Sequence, residues 1–177
     1  GRHTVYNALA AIAVGRLLGI ATQQIAAGLA NYQPGKMRLN IRRCADITMI
    51  DDTYNASPLS MAAAINVLAE IGQGRKVAVI GDMLELGAAS QQAHERVGRQ
   101  LADIGTAIVL TVGEMARYAA EAAKATGVAE VVACSDHQQA IAELRQRLLP
   151  GDTLLVKGSR GMQMEKVLVV FTPSSEG

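Results

Sequence analysis

Five short apolar runs, Ile47–Ile50, Lys76–Ile80, Ala107–Thr111, Glu130–Ala133 and Thr153–Val156, are separated by stretches of helical periodicity. This alternation limits the possible folds more than any other feature, because strands joined through helical crossovers build βαβ units and a parallel sheet. Helices are expected over 58–71, 88–104, 114–126, 136–148 and 162–171, with Pro58 and Asp136 well suited to helix starts. Residues 39–43 can add an antiparallel edge strand. No repeat of 20 to 50 residues is present, which disfavours a solenoid. The expected class is α/β: a Rossmann-like, mostly parallel sheet flanked by helices.

A short helical tail precedes it. Thr4 to Leu18 is rich in Ala and apolar on nearly every side, the pattern of a well-buried helix that Gly19 would end. Thr22 can cap a second helix, TQQIAAGLANY, and Gln33-Pro34-Gly35 then reads as a turn or linker. The expected division is therefore 1–35 for the tail and 36–177 for the sheet domain. With no initiating Met and no signal-peptide pattern, the chain reads as starting within a longer protein.

Composition removes several classes of partner. Seventeen basic and sixteen acidic residues give a net charge of +1 without long runs of either sign, and one Phe and no Trp leave little for bases to stack on. Nucleic acid is not an expected ligand. The longest apolar stretches fall short of the roughly 18 residues of a membrane span. Cys44 and Cys134 lack metal or CxxC spacing, which suits reduced thiols in the cytoplasm.

In an open parallel sheet, ligands gather beyond the carboxyl ends of the strands. That rule selects DDTYNASP (51–58), GDMLELG (81–87) and KGSRGMQME (157–165). In the first loop a carboxylate can accept from ribose hydroxyls, or Asp51 and Asp52 can order the turn while Asn55 and Ser57 compete for the helix cap; both readings stay open. In the last loop, Lys157, Ser159 and Arg160 precede a helix start and form a plausible anion site for a carboxylate or phosphate. The alternative is a Gly-rich turn with solvated cations.

GDMLELG reads more readily as a structural loop than as an acid–base or magnesium site. His3 and Asn7 share one helical face and either touch a ligand or cap and pack, while His94 and His137 fall on expected helical surfaces with no assigned role. Neither a GxxxxGKS/T phosphate loop nor a GxGxxG fingerprint after the first strand occurs, so a complete ATPase site and a dehydrogenase are both disfavoured.

The three loops, as DDTYNASPLSM, GDMLELG and KGSRGMQMEKV in this order, resemble the carboxy-terminal domain of the Mur ligases. GRHTVYNALAAIA is similar to the segment that ends the family's central ATPase domain, and GKMR to the entry of its last domain. Thr4, Lys36, Ser57 and Leu59 depart from the family pattern. The loops look closest to the branch that adds D-alanyl-D-alanine. That resemblance implies a cytoplasmic, monomeric three-domain enzyme using ATP and Mg2+, both held mainly by the central domain. It also implies UDP-N-acetylmuramoyl-tripeptide bound upstream, D-alanyl-D-alanine as the incoming group, and no nucleic-acid or membrane partner. By the family pattern, His3, Asn7, Asp52, Tyr54 and Asn55 lie near the nucleotide, and Lys157, Ser159 and Arg160 near the dipeptide. No catalytic residue or metal ligand is assigned within the chain, and the fragment alone is expected to be inactive. The competing expectation is a stand-alone Rossmann-like nucleotide-binding or regulatory module.

Overall fold

The computed structural model describes residues 2–32 and 35–171, with the side chains of 2–4 and 170 outside the description. The linker residues Gln33 and Pro34, and the side chain of His3, therefore lie outside the described residues. Two compact units divide the chain, Gly1–Gly35 and Lys36–Gly177.

The first unit is a helical pair, α1 (Arg2–Leu17) and α2 (Thr22–Ala30). Gly15 lets the helices approach, since a Cβ there would lie 2.9 Å from Ile25 Cδ1. Thr22 is the first helical residue rather than the cap, and its hydroxyl accepts from Arg16 Nη1 at 3.1 Å. The expectation of a well-buried first helix is corrected: Val5, Tyr6, Leu9, Val14 and Leu17 are exposed, and Gly15 is the one buried residue among the described residues of α1. Two short helices offer each other too little surface to cover apolar residues on every side.

The second unit is a six-stranded sheet with strands β1 (Asn40–Cys44), β2 (Ile47–Asp52), β3 (Lys76–Gly81), β4 (Ile108–Val112), β5 (Glu130–Cys134) and β6 (Thr153–Lys157), in spatial order β1-β2-β6-β3-β4-β5. The edge strand β1 is antiparallel to β2 and every other pairing is parallel. The helices are α3 (Pro58–Ile71), α4 (Ser90–Asp103), α5 (Ala116–Ala125) and α6 (His137–Arg147). The expected last helix is corrected to two short 3-10 segments, Arg160–Met162 and Met164–Phe171, because Gln163 between them takes a left-handed conformation (φ 50°) that interrupts an α-helix.

Alternation along the strands builds two cores. Ile50, Ala78, Ile80, Val109 and Leu155 face α3, α4 and α5, whereas Met49, Val77, Val79, Leu110 and Val156 face α6 and the last 3-10 segment. The first three crossovers thus cover one face and the return through α6 to β6 covers the other. The loops after β2 and β3 lead to one face and the loop after β6 to the opposite one. In open α/β sheets such a reversal marks the place of the ligand crevice, here the carboxyl ends of β2, β6 and β3.

Candidate functional site

At the end of β2 the period-2 pleat sends adjacent carboxylates to opposite faces. Asp51 orders the turn, accepting from the Thr53 hydroxyl at 2.7 Å and the Thr53 amide at 3.3 Å. Asp52 stands opposite Lys157 in the parallel ladder, and Lys157 Nζ donates to Asp52 Oδ2 at 2.6 Å and to the Asn55 carbonyl at 2.7 Å. The other Asp52 oxygen accepts from the Leu39 amide at 3.0 Å.

Lys157 is therefore not a solvated cation at the loop: it is 1% exposed and Asp52 is 8% exposed. Burial pushes the Lys157 ammonium below its usual range, with Arg38 adding to the shift and Asp52 opposing it. The pair is a buried brace joining the two strand ends on which the ligand loops begin.

Ser159 is also buried and committed. Its hydroxyl accepts from the Leu84 amide at 2.9 Å and faces the Ala56 carbonyl at 3.4 Å, while its amide donates to the Asp82 carbonyl at 2.9 Å. Gly81 and Gly158 allow this approach of the strand ends; a Cβ on Gly158 would meet Met164 Cγ at 2.6 Å.

The exposed groups of the crevice are Arg38, Tyr54, Asn55 and Arg160. Arg38 stacks on the Tyr54 ring, 3.8 Å from its centroid, and the Tyr54 amide donates to the Met37 carbonyl at 3.0 Å. Arg160 Nη1 contacts Glu165 Oε1 at 2.8 Å and lies 3.9 Å from Met37 Sδ. Asn55 Oδ1 takes the Ala56 amide at 2.8 Å, which leaves the side-chain NH2 as a donor. The arrangement offers an aromatic face backed by one guanidinium and a second guanidinium at the β6 loop, suited to a planar group and an anion respectively.

The contest for the α3 cap goes to Ser57, whose hydroxyl accepts from the Ser60 amide at 3.3 Å. Asn7 is exposed on α1, in the other unit. In GDMLELG, Asp82 Oδ1 accepts from the Ala116 amide at 2.6 Å at the start of α5. The placement of His94 on a helical surface is corrected, since it is 0% exposed and its Nε2 accepts from the Met83 amide at 2.9 Å. Its spacing from Ala93, Val97 and Leu101 on the buried face of α4 was the available signal. His137 caps the last loop through the Met162 carbonyl at 2.7 Å.

Among the described residues no three His, Cys, Asp or Glu side chains converge as a metal site, and Asp52 and Asp82 are already engaged. These residues do not fit a magnesium centre.

The family model described as "Mur ligase, glutamate ligase domain" matches residues 37–160, which include the whole crevice. The chain belongs to the Mur ligase family. The chain is 40% identical over 172 residues to the UDP-N-acetylmuramoyl-tripeptide–D-alanyl-D-alanine ligase of Escherichia coli K12, covering 95% of this chain and 36% of that protein. The enzyme of the same name from Bacillus subtilis is 36% identical over 171 residues, covering 95% of this chain and 37% of its own. MurF from Acinetobacter baumannii superposes with a TM-score of 0.84 at 36% identity, over 98% of this chain and 38% of that one. MurF from Thermotoga maritima, solved in complex with ADP, gives 0.76 at 30% identity, over 90% and 35%. The chain thus spans little more than a third of the length of these relatives.

Proposed function

We propose that the chain is the carboxy-terminal part of an ATP-dependent ligase that joins D-alanyl-D-alanine to UDP-N-acetylmuramoyl-tripeptide in peptidoglycan precursor synthesis. The observation that carries this reading is 40% identity to a ligase of that name across 95% of the chain. In this reading residues 1–35 are the tail of a central ATP-binding domain and 36–177 the last domain of a cytoplasmic monomer. The nucleotide phosphates, magnesium and the UDP-linked tripeptide belong to the portion outside this chain, and the fragment alone is inactive.

The chemistry asks of this domain mainly position. The tripeptide carboxylate, activated as an acyl phosphate, must meet the dipeptide amine while water is kept away. Arg160 is assigned the dipeptide carboxylate, which a guanidinium can grip with two parallel N–H bonds. Ser159 and Lys157 hold the loop that presents it. Tyr54 and Asn55, backed by Arg38, face the nucleotide, while Asp52 serves through its brace to Lys157. His3 and Asn7 are assigned to nucleotide binding by the helical unit.

The test uses a full-length protein carrying this chain. Phosphate release should depend on the dipeptide, and Arg160→Ala should raise the dipeptide KM at least about tenfold, the value of a lost hydrogen bond to a charged group. Nucleotide binding by residues 1–177 without upstream domains, coupled with indifference to the dipeptide, would instead select a stand-alone nucleotide-binding or regulatory module.

A further inference from the structure

GDMLELG is the loop that the proposed chemistry leaves unused, and its geometry explains why it stands beside the β6 loop. After β3 ends at Gly81, the backbone leaves the ladder and its next amides need new acceptors. The Leu84 amide finds the Ser159 hydroxyl at 2.9 Å, and the Met83 amide finds His94 Nε2 at 2.9 Å. His94 Nδ1 lies 2.7 Å from the Ser90 carbonyl, which can only accept, so Nδ1 carries the proton and Nε2 is the free acceptor. The imidazole is buried, and the first turn of α4 fixes its orientation.

Packing alone does not ask for this. The neighbours of His94 on the buried face of α4 are Ala93, Val97 and Leu101, and Met83 is 1% exposed. An aliphatic side chain would fill the space without the cost of burying a polar ring. What the imidazole adds is a fixed acceptor for one backbone amide, adjacent to the amide that holds Ser159. The Leu84 side chain continues the contact, since a Cβ on Gly161 would lie 2.9 Å from Leu84 Cδ1.

We infer that His94 is a positioning residue for the anion-binding loop: through the Met83 and Leu84 amides it sets the place of Ser159 and, one residue on, of Arg160. This rests on the assignment of that loop to the dipeptide. At the nucleotide end of the crevice Arg38 stacks on Tyr54, whose amide is held by the Met37 carbonyl, a contact in which His94 takes no direct part.

Glutamine and asparagine separate this role from a general one, because Gln Oε1 reaches the place of Nε2 and the shorter Asn does not. In the full-length protein, His94→Asn should speed exchange of the Met83 amide at least about tenfold, and His94→Gln should keep most of the protection. His94→Asn should raise the dipeptide KM by about five- to tenfold, with kcat and the ATP KM within about twofold, and His94→Gln should restore it. Ser159→Ala, which removes the acceptor on the other side, should reproduce that KM pattern with Met83 protection intact, and it serves if the Asn variant fails to fold. Equal behaviour of the Gln and Asn variants, or parallel rises in both KM values, would overturn the inference. The expected exchange pattern in a protein with no dipeptide-dependent turnover would keep the strut and overturn the functional reading.

Discussion

Replacing Lys157 by Met keeps the stem and removes the charge, leaving Asp52 as a buried carboxylate whose remaining partner is the Leu39 amide. Removing one member of a buried ion pair costs about 3–5 kcal/mol, because the survivor keeps its desolvation penalty without its counter-charge. The Asn55 carbonyl also loses a donor, but Asn55 is exposed and water can replace Nζ, so little is added. In urea, with a slope of about 2 kcal/mol per molar, the midpoint should fall by about 1.5–2.5 M. Far-UV circular dichroism suits a chain with no Trp. Adding Asp52→Asn to Lys157→Met removes the stranded charge while keeping an acceptor for Leu39, and should recover about 2 kcal/mol relative to Lys157→Met alone in the same urea unfolding. A midpoint loss under about 0.5 M, or no recovery in the double variant, would refute the brace.

Three further outcomes are expected. Gly98→Ala places a Cβ 2.2 Å from the Ala119 carbonyl oxygen and 2.9 Å from Ala122 Cβ, so it should cost about 1–3 kcal/mol in urea unfolding by forcing α4 from α5. Ser57→Ala removes the acceptor for the Ser60 amide at the start of α3 and should cost about 1 kcal/mol in the same assay. Burial pushes the Cys134 thiol from 9.0 up to about 11, with Glu143 and Asp136 adding to the shift and Arg147 opposing it. Its folded pKa lies above the unfolded one, so this contribution to stability is full below pH 9.0 and is lost as pH rises through about 11. Cys134→Ala should flatten the alkaline fall in stability across that window.

The strands were legible because they are apolar runs. Each parallel strand also continues one or two residues past its run, to Asp52, Gly81, Val112, Cys134 and Lys157, since a ladder hydrogen-bonds backbones without regard to side chain. The strand order was not legible: β6 enters between β2 and β3, a pairing of residues about a hundred positions apart that no local pattern encodes. In the site, residue types singled out three loops, but which of Asp51 and Asp52 faces the crevice depends on the register of β2. His94 was placed on a surface because a histidine among polar neighbours looks solvated; Met83, which takes its nitrogen, is contributed by another element.

By itself the sequence determined the alternation of strands and helices, the three loops at strand ends and the Mur ligase motifs, because these are short-range consequences of periodicity and residue type. The tertiary structure alone decided that Lys157 neutralises Asp52, that Ser159 is spent on the Leu84 amide and that Arg38 and Arg160 remain as the exposed cations of the crevice. Whether a charged group is free or committed depends on what the fold brings within about 3 Å of it, and the partners here come from strands and loops distant in the chain.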